Sequence, residues 1–183
     1  MRVSSLAPAA AGLLACLVGA GPAAAGPASS EAAFYRAVAG KWSGPGEIVA
    51  GKYKGTRFTC VFDGLSPDST TGLSIDGTCR VGMFSQPMNA VVQRAATGYS
   101  GRFLDGEAGE GMDVVGGRYS RSKLVVDIKR KDLRGVIVAH LTGADKLNVT
   151  ISVRVDRHLI PVIGMALDRQ GGVDDIIASS TDR

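Results

Sequence analysis

Residues 146–155 read KLNVTISVRV, and that stretch decides the fold class. Leu147, Val149, Ile151, Val153 and Val155 alternate with Asn148, Thr150, Ser152 and Arg154. Successive side chains of a strand point to opposite faces, so this segment has one apolar face and one polar face. Antiparallel sheets with one buried side and one wet side are built this way. Leu124, Val126 and Ile128 repeat the pattern upstream.

Working outward, glycines and Asp-Gly pairs punctuate apolar alternation that recurs at intervals of about 8–12 residues. Strands are expected near 41–49, 54–63, 72–82, 87–95, 99–104, 112–119, 123–130, 135–142, 146–155 and 159–168. Ahead of them, Ser30-Glu31 caps a short helical stretch over 32–39, with Phe34 and Val38 one turn apart and Gly40 ending it. Nothing marks a long second helix, so βαβ units and a parallel sheet are excluded. The expectation is an all-β, antiparallel up-and-down barrel of about eight to ten strands behind one short helix, because closure removes sheet edges. The domain runs over 31–169, preceded by a linker at 26–30 and followed by a tail at 170–183.

The first 25 residues read as a cleavable export signal. Met1-Arg2 gives a positive start, Val3 to Ala20 is small and apolar, and Ala23 and Ala25 supply the A-x-A spacing of a cleavage site. Leu13-Leu14-Ala15-Cys16 offers a second reading, in which Cys16 carries a lipid and the following Ala/Gly/Pro/Ser stretch is a tether. The signal holds one of the 21 basic residues and none of the 17 acidic ones, so the mature charge is +3. That is too mild for a nucleic-acid binder and compatible with peripheral contact with an anionic membrane or polysaccharide. The reading is a periplasmic or secreted monomer.

Only Cys60 and Cys79 remain after the signal, and an even count in an exported chain reads as a disulfide. If 54–63 and 72–82 form a hairpin centred between Ser69 and Thr70, the two cysteines face each other. Phe58, Cys60 and Phe62 share one face, and Leu73, Ile75, Cys79 and Val81 share another, so the bridge points into the core. The same register sets Phe62 over the bare backbone of Gly77. A redox-active pair is disfavoured, since the spacing is not C-x-x-C.

Gly40-Lys41-Trp42 stands at the entry to the first strand, just after the helix. This G-x-W resembles the first-strand motif of the lipocalin and wider calycin group, small barrels that bind ligands in a central cavity. Continued through Ser43-Gly44-Pro45-Gly46, it is also similar to the opening of nitrobindin-type haem barrels. The resemblance implies that a late arginine packs over the tryptophan to close one barrel end, and Arg169 matches by position. Arg169 also ends an inward row of Leu159, Ile163, Met165 and Leu167. The haem-barrel likeness would need a late histidine ligand, for which only His140 and His158 are on offer. Gly55 to Cys60 and Gly77 to Met88 resemble exported proteins of alphaproteobacteria, which gives a lineage and no activity.

The candidate ligand-binding residues are Trp42, Phe58, Met83, Met88, His140 and Met165. Met83-Phe84-Ser85-Gln86-Pro87-Met88 reads as a flexible apolar lip or a covered crossover. His140 shares a face with Val136 and Val138, and His158 sits in a turn with Asp156 and Arg157. The stretch 104–117 (LDGEAGEGMDVVGG) reads as a glycine-rich loop whose Asp105, Glu107, Glu110 and Asp113 fit no EF-hand spacing. Lys129-Arg130-Lys131 with Arg134 forms a basic turn. No nucleophile elbow, H-E-x-x-H or phosphate loop occurs, so an enzyme, a metal and a cofactor are not expected. The leading expectation is a binding module for a small hydrophobic or amphipathic ligand. The alternatives are a protein-binding module, such as a protease inhibitor that inserts 26–34 into a cleft, and a structural envelope protein with a filled barrel.

Overall fold

The computed structural model describes residues 27–67, 71–104 and 111–171. The expected export signal with Cys16, the expected hairpin centre at Ser69-Thr70, the acids Asp105, Glu107 and Glu110, and the expected tail beyond Gly171 lie outside the described residues.

One helix precedes ten strands: α1 (Pro27–Val38), β1 (Gly40–Ile48), β2 (Arg57–Leu65), β3 (Gly72–Val81), β4 (Phe84–Ala95), β5 (Gly98–Leu104), β6 (Met112–Ser120), β7 (Lys123–Arg130), β8 (Leu133–Thr142), β9 (Lys146–Val155) and β10 (His158–Arg169). Each strand pairs antiparallel with the next, and β10 returns to β1, so the barrel is closed. Closure leaves no sheet edge exposed to another chain.

The alternation read from the sequence sets what faces inward. Leu147, Val149 and Ile151 of β9 pair with Leu141, Ala139 and Ile137 of β8, and all six belong to the apolar core or pack against it. Leu124, Val126 and Ile128 of β7 are almost fully buried. Each such side chain contributes about 1.5–3 kcal/mol by leaving water. The β2–β3 register is the expected one, with Cys60 opposite Cys79 and Phe62 opposite Gly77. Cys60 and Cys79 form a disulfide with Cα atoms 4.0 Å apart. A Cβ on Gly77 would lie 2.4 Å from the Phe62 ring, so only glycine lets the ring lie there.

Four details differ from the sequence reading. The helix begins at Pro27, inside the expected linker, and proline at a first helical position costs nothing because that N–H is unpaired anyway. β2 starts at Arg57 because 51–55 turn back, with Lys54 N donating to Gly51 O at 3.2 Å. β4 starts at Phe84, and Pro87 lies within it. Pro87 lies opposite Thr78 of β3. The expected glycine loop over 104–117 overlaps the strand expected near 112–119, which forms over Met112–Ser120 with an irregularity between Val114 and Gly116.

A bulge also breaks the inward row of β10. Ile163 pairs with Ile151, but Ile160 pairs with Val153 and Leu159 with Arg154, across a shift between Pro161 and Ile163. The extra residue flips the alternation. Ile160, not Leu159, therefore continues the inward face.

Candidate functional site

The two barrel ends are built differently, and the difference defines the site. α1 lies across the end where β1 and β10 meet. The last carbonyls of a helix have no partner within it. Here the Trp42 indole N–H donates to Val38 O at 2.8 Å. The Arg169 guanidinium donates to Ala39 O at 2.9 Å and also to Ala37 O. Its carbon centre lies 4.3 Å from the centroid of the Trp42 ring, a cation–π contact. A cation at a helix C-terminus also meets the negative end of the helix dipole. Gly40 adopts φ 110°, and a Cβ there would come within 3.0 Å of the Arg169 guanidinium. The glycine, the tryptophan and the late arginine thus form one closure device.

The other half of α1 is held by a polar cluster that sequence reading missed. Glu31 is buried, accepts a 2.8 Å hydrogen bond from Arg94, and accepts another from the Tyr99 hydroxyl. Arg94 also reaches the Tyr99 oxygen at 3.2 Å. Burial, then the bond to Glu31, pushes the Tyr99 hydroxyl up to about 12. The neighbouring Tyr35 hydroxyl is buried without a well-formed hydrogen bond among the described residues, and burial raises its pKa strongly. Phe34 packs on Tyr119 at 5.4 Å. The only signal in the sequence was an acid beside the helix cap, which reads equally well as a solvated residue.

Beneath this seal lies an apolar cavity of about 100 Å³. Val38 and Trp42 close it above, Leu147 and Leu167 line its wall, and Met88 and Met165 reach it from below. Of the expected ligand contacts, Trp42, Met88 and Met165 therefore come together. Phe58 does not line the cavity; it covers Gly46, where a Cβ would sit 2.2 Å from its ring. Met165 Sδ lies 3.9 Å from Cys60 Sγ, so the disulfide stands beside the cavity floor. Asn89, Ala90 and Phe103 also line the wall and escaped the sequence reading.

Two further expected contacts also lie away from the cavity. Met83 is 91% exposed, because Gly82-Met83 is the turn between β3 and β4 rather than a lip folded over the mouth. His140 pairs with Asn148 and Lys123 on the outer face, while Ile137, Ala139 and Leu141 face the core. His158 is exposed at the start of β10. Neither histidine lines the cavity, so the barrel offers no haem ligand of that type. Asp113 sits in β6 and faces Arg102 at 3.8 Å, away from any cation cage. Among the described residues no group of His, Cys, Asp or Glu could hold a metal ion.

Burial along the inner wall is uneven, and Ile128 and Val114 stay buried toward the far end. Inward residues near the helix, including Leu73, Val92, Leu124 and Leu147, are buried. Phe58, Phe103, Met112, Ile163 and Met165, toward the other end, are only half-buried. The described backbone pairing between β5 and β6 covers only Gly101–Phe103 against Val114–Met112. Among the described residues, α1 seals one end of the barrel, and Phe58, Phe103 and Met112 stand half-buried toward the other.

No protein-family model matches the chain, and no curated protein is detectably similar to it.

Proposed function

We propose that this protein is an exported, calycin-like binding module whose mouth admits the apolar part of a small hydrophobic or amphipathic molecule. The observation that carries the reading is the apolar cavity beneath α1, lined by Trp42, Met88 and Met165. A filled barrel would have no reason to leave Phe103, Met112 and Met165 partly wet. The volume limits the ligand. About 100 Å³ is below the roughly 300–1,000 Å³ of a drug-sized pocket and near the scale of a cavity that takes one benzene. A single alkyl chain or one small ring fits; a flat macrocycle does not.

The closure device of Gly40, Trp42 and Arg169 supports the calycin likeness. The disulfide is compatible with an oxidising compartment and agrees with an export signal at 1–25. The inhibitor reading is less well supported, because residues 27–38 form a helix whose Glu31 and Phe34 are buried against the barrel. A protease cleft takes an extended segment.

Native mass spectrometry of the protein purified from its host tests the proposal. A bound adduct of lipid-like mass is expected, and Ala90→Phe, which narrows the cavity, should abolish it while the protein stays folded. An adduct-free spectrum, together with no uptake of added medium-chain fatty acid, would reject ligand binding and leave the structural reading.

A further inference from the structure

The open end has a second property, independent of what the cavity holds. Of the 13 exposed large apolar residues among those described, nine lie at this end. Val49 and Tyr53 come from the β1–β2 connection. Val81, Met83 and Phe84 form the β3–β4 tip, where Met83 is 91% and Phe84 77% exposed. Leu133 follows the β7–β8 turn, and Val155, Leu159 and Ile160 flank the β9–β10 turn. Only Leu65 is exposed in this way at the helix end. Around a closed barrel these connections form a ring, because hairpins alternate between the two ends.

The same ring is basic. Residues 47–57, 80–85, 130–134 and 154–160 hold nine lysines and arginines against three acids. Residues 105–110, outside the described residues, carry three further acids. Lys52, Lys54, Arg80, Arg134, Arg154 and Arg157 are all exposed. The barrel wall differs: charged residues such as Asp63, Arg102, Asp113 and Lys129 face water, and the apolar side is inside. That is the reverse of a membrane-spanning barrel. Contact with lipid can therefore be made by the rim and not by the wall.

We infer that the open rim docks on an anionic lipid bilayer, with the Met83–Phe84 tip entering the headgroup boundary and the surrounding bases held by lipid phosphates. Exposed apolar tips beside lysine and arginine combine two weak attractions that each fall short of stable binding alone. A rim seated in this way would place the barrel mouth against the membrane.

Co-sedimentation of the full mature chain with vesicles tests the inference. Binding to phosphatidylcholine vesicles containing phosphatidylglycerol is expected, with little on phosphatidylcholine alone and a steep loss as salt rises. Met83→Ser with Phe84→Ser should weaken binding at least tenfold, as should Arg154→Glu with Arg157→Glu. All four positions are exposed, so the melting temperature should not move. No binding to the anionic vesicles, or binding unchanged in both variants, would overturn the inference. So would equal capture by soluble dextran sulfate that ignores the Met83 and Phe84 changes, since that marks a polyanion site. The Met83→Ser/Phe84→Ser protein should keep its cavity adduct, so failure here leaves the cavity reading standing and the converse also holds.

Discussion

The helix end and the open end of this barrel are made from the same strands and solve opposite problems. At the helix end, orphan carbonyls, a buried acid and a large indole are all satisfied within the protein. At the open end, the inner residues Phe58, Phe103 and Met112 stay half-buried and apolar turn residues face solvent. A barrel needs only one such seal to be stable, because closure has already removed its edges. The contrast teaches that the buried polar and aromatic contacts are concentrated under α1, and the proposed binding role falls to the far end.

Substitutions at the two ends should therefore separate. Trp42→Ala removes the closure device and its packing and should cost about 3–5 kcal/mol in denaturant unfolding. A loss under about 1 kcal/mol would show that the seal is ornamental. Replacing both Cys60 and Cys79 by alanine, below the cavity, should cost about 3 kcal/mol, because the bridge closes a loop with a sequence separation of 19. Reductant should reproduce that shift in the native protein and have no effect on the variant.

Alkaline titration probes the seal more gently. Tyr99 holds its proton up to about 12 in the fold against 10.0 for a free tyrosine. The folded state thus keeps a proton that the unfolded chain releases, so stability is full below pH 10 and declines as pH rises toward 12. Tyr99→Phe should flatten that decline in a pH series of melting temperatures, and a slope identical to the native protein's would contradict the assignment. At the open end, Met83→Ser with Phe84→Ser should change stability by less than about 0.5 kcal/mol. A larger loss would mean that the tip belongs to the core and the two ends are not distinct.

The sequence was most legible where a local rule and a symmetric constraint agreed. One turn centre fixed the β2–β3 register, so Cys60, Cys79, Phe62 and Gly77 fell into place together. The pairing of Trp42 with Arg169 came from the likeness of a short motif, and the residues are direct cross-strand partners. It was least legible where both faces of a strand are apolar. Val136 and Val138 gave His140 an inward look, yet Ile137, Ala139 and Leu141 take the core. Alternation alone cannot choose between two greasy faces. The β10 bulge flipped Leu159 outward, and nothing local announces a bulge beyond the proline at 161. The Glu31, Arg94 and Tyr99 cluster joins residues 63 and 68 positions apart, which no local pattern records.

Methyl-detected NMR during titration with a medium-chain fatty acid tests the division of the barrel most directly. Met88 and Met165, which reach the cavity from the open side, should shift in a saturable way, while Leu124 and Val126 in the sealed core stay still. Shifts confined to the outer wall, or none at any of the four, would contradict a ligand-accessible mouth.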